Sequence, residues 1–165
     1  MNKVRVFAGA ALLSAGLGSA LAGGAGAPVV GGGQVQAATP ETVGAALRAA
    51  GYGVTANPAS ADEDPSLTVQ AGDHQLNVFF SDCREGSCAR VTASYGWDPA
   101  EGSALDLEFV NAWNGDYFSQ AYVYEGRYYL DSTLTLRGGY TRAALAAWMA
   151  DYLGDVEDFE GELSS

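Results

Sequence analysis

The residues that could carry chemistry in this sequence are few. His74 is the single histidine, and it follows a Gly72-Asp73 turn pattern. A tetrahedral zinc site or a nucleophile–histidine pair needs further partners, and no G-x-S-x-G motif presents a serine nearby. The pattern therefore predicts no catalytic residue, no metal ligand set and no cofactor. We expect His74 to be a solvated turn residue.

Acidic side chains are the one abundant reactive type, with 20 aspartates and glutamates in the chain. Two adjacent carboxylates can hydrolyse a glycosidic bond, so a hydrolase remains the third of our functional hypotheses. These carboxylates occur in a loop around residues 62–64, on predicted helix faces and in residues 155–165. Solvated charge is the ordinary state in such places.

Cys83 and Cys88 flank a short turn between two apolar runs. An exported protein would hold them as a disulfide, since oxidising compartments favour the bridge. The spacing is not the C-x-x-C of redox-active pairs. A loop this short predicts a structural staple that removes about 2 kcal/mol of unfolded-chain entropy.

Aromatic and amide side chains are the remaining candidates for recognition. The candidate binding residues are Asn111, Trp113, Asn114, Tyr122, Tyr124 and Tyr129. Core packing by the tryptophan, with an asparagine at the helix terminus, is the alternative for the first three. The last three belong to a tyrosine-rich hairpin whose two faces cannot both be buried in a small domain. We expect exposed aromatic surface there, suited to a dimer or partner interface.

The elements that position these residues follow from hydrophobic periodicity. The pattern predicts an α+β fold with a five-stranded antiparallel sheet and three helices, in the order α-β-β-β-α-β-β-α. The helices are expected from Thr39 to Gly51, from a Ser103 cap to Gly115, and from a Thr141 cap to Gly154; the strands over residues 66–71, 76–80, 91–97, 118–124 and 127–136.

Residues 1–22 resemble a secretory signal peptide, with Lys3 and Arg5 before an uncharged apolar stretch. Residues 23–38 are a glycine-rich linker or remaining leader, residues 39–154 the folded domain, and residues 155–165 a frayed acidic tail. Cleavage would give a periplasmic or secreted protein without membrane insertion. The formal charge of −12 disfavours nucleic acid as a partner, because phosphate backbones repel such a surface.

An ordered set of motifs resembles the YbjN family. It comprises Asn111-Ala112-Trp113-Asn114, the tyrosine-rich hairpin, Asp131 with Leu134, and Gly138-Gly139 before the last helix, over roughly residues 39–153. Members are described as bacterial sensory transduction regulators. The resemblance implies a fold similar to type III secretion chaperones, which bind other proteins and often dimerise, and it implies no enzymatic activity.

Two functional hypotheses therefore rank above the hydrolase. The first is an exported, non-enzymatic interaction or regulatory module that binds an unidentified protein partner, with a homodimer as one arrangement. The second is a periplasmic protein that binds a small ligand or peptide in a cleft near Trp113 and the last hairpin. A flat exposed aromatic surface would favour the first, and a closed cavity with converging polar groups the second.

Overall fold

The computed structural model describes residues 33–61 and 63–164, so the predicted signal peptide over residues 1–22 and most of the predicted linker lie outside the described residues. The strands are β1 Val35–Gln36, β2 Gly53–Asn57, β3 Ser66–Ala71, β4 His74–Ser81, β5 Arg90–Trp97, β6 Gln120–Tyr124, β7 Arg127–Thr135 and β8 Tyr140–Thr141. The helices are α1 Pro40–Ala49, α2 Leu107–Asp116 and α3 Arg142–Leu163.

The main sheet is antiparallel and has six strands in the order β2-β3-β4-β5-β7-β6. The predicted five-stranded sheet is wrong by one strand, since β2 pairs with β3 along its whole length. The sequence pattern did not predict β2, because apolar and polar residues alternate only weakly in an edge strand next to solvent. Gly53 also looks like a residue that ends the preceding helix. A separate two-stranded pair joins β1 to β8.

The predicted hairpins are confirmed. β3 and β4 pair from Ala71↔His74 outward, and β6 and β7 pair from Tyr124↔Arg127 outward. Glu125 and Gly126 connect the second hairpin with φ values of 49° and 79°. Positive φ at both central residues matches the twist of the strands, as in type I′ turns.

All three helices pack on one face of the sheet. Alternate strand residues such as Leu67, Val78 and Leu130 point to that side and are buried. Leu47 of α1 and Met149 of α3 are buried among them. The helices and the sheet therefore enclose one apolar core, and the other sheet face has no helix over it among the described residues.

Two of the three predicted helix N-caps are found in the structure. Thr39 and Thr141 cap α1 and α3 as predicted. The prediction that Ser103 caps the second helix is wrong, because α2 starts at Leu107. The Asp106 carboxylate accepts hydrogen bonds from the first amides of that helix, at 2.9 Å each.

The third helix does not end at Gly154. It continues to Leu163, and Val156 and Phe159 are fully buried. The predicted frayed tail is wrong for these turns. Its many carboxylates occupy the exposed positions of an amphipathic helix, so high charge did not mean lack of packing.

Cys83 and Cys88 form a disulfide, as predicted. The amide of Cys88 donates a 2.7 Å hydrogen bond to the carbonyl oxygen of Ala38. The bridged turn therefore fastens the segment that leads into α1, and part of the predicted linker is ordered as β1.

Candidate functional site

The open face of the sheet carries a group of four aromatic side chains, two of them exposed and two half-buried. Tyr124 on β6 and Phe79 on β4 are 58% and 48% exposed. Tyr122 on β6 and Tyr129 on β7 are half-buried. Together with polar neighbours they line an open groove of about 460 Å³. The polar lining residues are Gln75, Asn77, Ser94 and Arg127.

The tyrosines form a continuous cluster. Tyr122 and Tyr129 are cross-strand partners with ring centroids 5.4 Å apart and nearly parallel, and Tyr124 lies 6.5 Å from Tyr129. The guanidinium carbon of Arg127 lies 5.7 Å from the Tyr129 ring centroid, and its Nε is 2.6 Å from Asp98. The ion pair of Arg127 and Asp98 therefore contacts the cluster at Tyr129.

The position beneath the Tyr129 ring has to be a glycine, and Gly96 occupies it. It pairs with Tyr129 across β5 and β7, and a Cβ atom at position 96 would lie 2.7 Å from Cε1 of that ring. The absence of a side chain lets the ring lie flat over the neighbouring strand. Any larger residue would displace Tyr129.

Asp131 lies next to two residues of the groove lining, Ser94 and Tyr122, and interacts with both. Its Oδ2 accepts a hydrogen bond from the Tyr122 hydroxyl at 3.3 Å, and Ser94 is its cross-strand partner. Burial raises the pKa of Asp131, although hydrogen bonds from Ser94 and Tyr122 act in the opposite direction. Burial and the nearby Asp131 charge also raise the pKa of Tyr122. Asp131 therefore helps to hold Tyr122 in place from behind the groove lining.

The predicted binding residues divide into two sets. Tyr122, Tyr124 and Tyr129 lie together on the last hairpin, where Tyr124 is exposed and the other two are half-buried. The second set, Asn111, Trp113 and Asn114, lies on α2. Trp113 is buried, donates to Ser119 Oγ at 3.1 Å and stacks on Tyr117. Its place in the core is what the alternative interpretation expected, and Asn111 is exposed.

Asn114 holds the edge of the sheet. Its side-chain oxygen accepts from the Ala121 amide at 2.7 Å, and its nitrogen donates to the Ala121 carbonyl at 2.9 Å. The side chain thus makes the two hydrogen bonds to β6 that a residue of a neighbouring strand would make. Because it occupies both backbone groups, it also hinders pairing with another chain there.

Sequence reasoning missed Phe79, Ser94, Gly96 and Arg127. Phe79 could have been found, because it occupies an outward position between the inward Val78 and Phe80. The other three could not, because the partners that give them a role lie on strands far apart in the sequence.

His74 is not the solvated residue that was expected. Its Nε2 lies 2.9 Å from Oε2 of Glu160, its side chain is 19% exposed, and its ring meets Tyr95 edge-on. The contact joins the β3–β4 turn to α3. The described lining of the adjacent surface depression contains no serine, threonine or cysteine. Within residues 33–61 and 63–164, no group of three metal-ligating side chains is found either.

The fold and this face define a class: an α+β protein in which helices cover one side of an antiparallel sheet and the other side exposes aromatic residues. The chain belongs to the YbjN family, whose model, described as "Putative bacterial sensory transduction regulator", matches residues 39–164. The resemblance seen in the sequence is confirmed, and the family is described as a regulator rather than an enzyme. Neither a curated protein nor a solved structure matches the chain.

The match extends through α3, in agreement with its packing. No helix in the described part of the chain is long and apolar enough to cross a bilayer. The expected likeness to type III secretion chaperones stays a prediction, since no solved structure supplies that comparison.

Proposed function

We propose that the protein is exported to the periplasm or beyond and acts there as a non-enzymatic regulatory module that binds a protein partner through the open sheet face. The observation that carries this proposal is an aromatic group on the sheet face that no helix covers among the described residues, with Phe79 and Tyr124 exposed and Tyr122 and Tyr129 half-buried beside them. The family description of a sensory transduction regulator supports an interaction role.

The dimensions of the face favour a macromolecule. Six strands spaced at about 4.8 Å give a width of about 24 Å, and strands of several residues give a similar length. A protein interface of ordinary size buries about 800 Å² on each partner, and a flat face of these dimensions, about 580 Å² before the relief of its side chains is counted, supplies most of that area. The groove is open along the strands, so it would enclose little of a small ligand.

The composition of the face also suits a protein partner. Tyrosine is enriched at interfaces because one ring offers both apolar area and a hydroxyl group. The groove lining adds the buried Ser94 as a hydrogen-bonding group, with Asp131 next to it. A tyrosine cluster beside such groups has the features of an interaction hot spot.

The test uses a variant that removes aromatic area without touching the core. Phe79→Ser with Tyr124→Ser alters two side chains that are 48% and 58% exposed. Leu107→Ser is the matched control, because Leu107 is 59% exposed on α2, away from this face. The three proteins are used as baits for cross-linking and affinity capture from a periplasmic extract, with sedimentation of each bait alone.

We expect the wild type and the Leu107 variant to capture the same protein, and the double variant to retain less than about a tenth of it. Loss of a dimer in the double variant would identify a second copy as the partner. Equal capture by all three baits would overturn the proposal. Export is tested separately, by finding in the periplasmic fraction a mass that lacks residues 1–22 or a longer leader.

A further inference from the structure

A second aromatic surface lies at the junction of α2 and β6, on the helical side of the molecule. Phe118 is wholly exposed and Tyr117 is 37% exposed. Beside them is a cavity of about 340 Å³ whose aromatic lining includes Trp148. An exposed phenylalanine next to an unfilled aromatic cavity is an arrangement that a partner can cover.

Carboxylates surround this surface. Asp151, Asp155 and Asp158 follow one another on one stripe of α3, at spacings of four and three residues, and Asp116 ends α2. Within the described chain, none of these four takes part in an ion pair. We call these four carboxylates with Tyr117, Phe118 and Trp148 the acidic aromatic patch.

The carboxylates of the patch affect the pKa of Tyr117. Partial desolvation raises the pKa of its phenol first, and the carboxylates of Asp158, Glu162, Asp155 and Asp116 raise it further. A negative field of this kind attracts cationic groups and repels a second copy of the same surface. The patch is therefore unsuited to self-association.

The charges do not stabilise the helix that carries them. Asp151 and Asp155 are like charges one turn apart, and Asp155 and Asp158 are like charges three residues apart, so each pair repels. The arrangement opposes local stability, so it is better explained by an external cationic partner than by folding.

We propose that the acidic aromatic patch binds a basic amphipathic helix of a partner protein. Lysine or arginine side chains of that helix pair with the aspartates, and its apolar residues cover Phe118 and enter the cavity beside Trp148. Asp151 and Asp158 are separated by seven residues, or about 10.5 Å along the axis, which matches basic residues seven apart on the partner. The proposal is independent of the sheet-face proposal, since the two surfaces lie on opposite sides.

The probe is a synthetic 18-residue helix of leucine and lysine with one apolar face. A peptide of the same composition in scrambled order, without an apolar face, controls for charge alone. Binding is measured by fluorescence anisotropy at about 0.15 M salt, where the Debye length is about 8 Å. Amide chemical shifts of the protein locate the contact.

Three variants separate the patch from the overall charge. Phe118→Ser removes the exposed ring, and Asp155→Asn with Asp158→Asn removes two patch charges. Glu85→Gln with Glu101→Gln removes two exposed charges elsewhere and is the matched control. Because Phe118 makes no contribution to the core, its variant should fold normally.

We expect both patch variants to bind the amphipathic peptide at least tenfold more weakly, and the control to bind within twofold of the wild type. Shifts should centre on residues 116–119 and 148–158. Equal losses in patch and control variants, or equal binding of the scrambled peptide, would show attraction to net charge only and overturn the proposal. A dimer that disappears in Phe118→Ser would overturn it as well, in favour of a second copy.

Discussion

Replacing Phe159 with alanine tests whether the end of α3 belongs to the core. The ring is fully buried, with centroids 4.8 to 4.9 Å from those of Phe109, Trp97 and Trp113. Removing such a ring deletes its transfer free energy and leaves a cavity, at a cost of about 3–5 kcal/mol. For a domain whose total stability is about 5–15 kcal/mol, this is a large fraction.

The assay is urea unfolding followed by tryptophan fluorescence, with a thermal scan beside it. A loss of about 4 kcal/mol corresponds to a melting temperature lower by about 10 °C for a domain of this size. Glu157→Ala is the control, because this exposed residue lies on the same turns of α3 and should change stability by no more than about 0.5 kcal/mol. The surrounding tryptophans should also report a changed environment in the Phe159 variant.

A loss below about 1 kcal/mol for Phe159→Ala would refute the reasoning. It would mean that the last turns of α3 do not pack on the sheet and that the tail is solvated, as the sequence alone suggested. Similar large losses in both variants would also refute the reasoning, because only Phe159→Ala removes a buried ring, and alanine lowers helix propensity at neither position.

Three further variants test separate features by urea unfolding. Asn114→Ala should cost about 1–2 kcal/mol, because two hydrogen bonds to the β6 backbone are lost; Asn111→Ala, at an exposed position, should cost almost nothing, and equal effects would contradict the edge-holding role. Cys83→Ser with Cys88→Ser should lower the free energy of unfolding by about 2 kcal/mol, and an unchanged stability would refute the stabilising role of the bridge. The bridge itself is checked by the mass of the wild type, which should rise by 2 Da on reduction. Burial raises the pKa of Asp131, so the folded state holds this proton more tightly than the unfolded state, and stability is lost as pH rises through the folded pKa. Asp131→Asn should therefore gain stability relative to the wild type as pH rises from about 3 to 7, and a difference independent of pH would refute this cause.

The sequence predicted the parts of the fold that depend on near neighbours. The Thr39 cap, the Glu125-Gly126 turn and the inward alternation of β3, β4 and β5 were all correct. Each depends on chemistry within a few residues, where spacing alone determines which side chains share a face. The motifs that resemble the YbjN family were also sufficient to place the chain in it.

The failures have a common cause. β2 is an edge strand with little alternation, and the turns after Gly154 look like a tail because their charges are numerous. In both places the decisive fact is a contact with a distant segment, β3 in one case and the aromatic core in the other. Local pattern carries no information about such contacts.

The same distinction applies to function. Composition and residue types determined that the protein is strongly acidic, that its single histidine has few possible partners and that its last hairpin is rich in tyrosine. Only the tertiary structure decided that Tyr129 lies over Gly96 and meets Tyr122 on an open face, while Trp113 is buried on the other side of the sheet. A sheet has two faces, and which of them the helices cover depends on long-range packing that no local sequence pattern records.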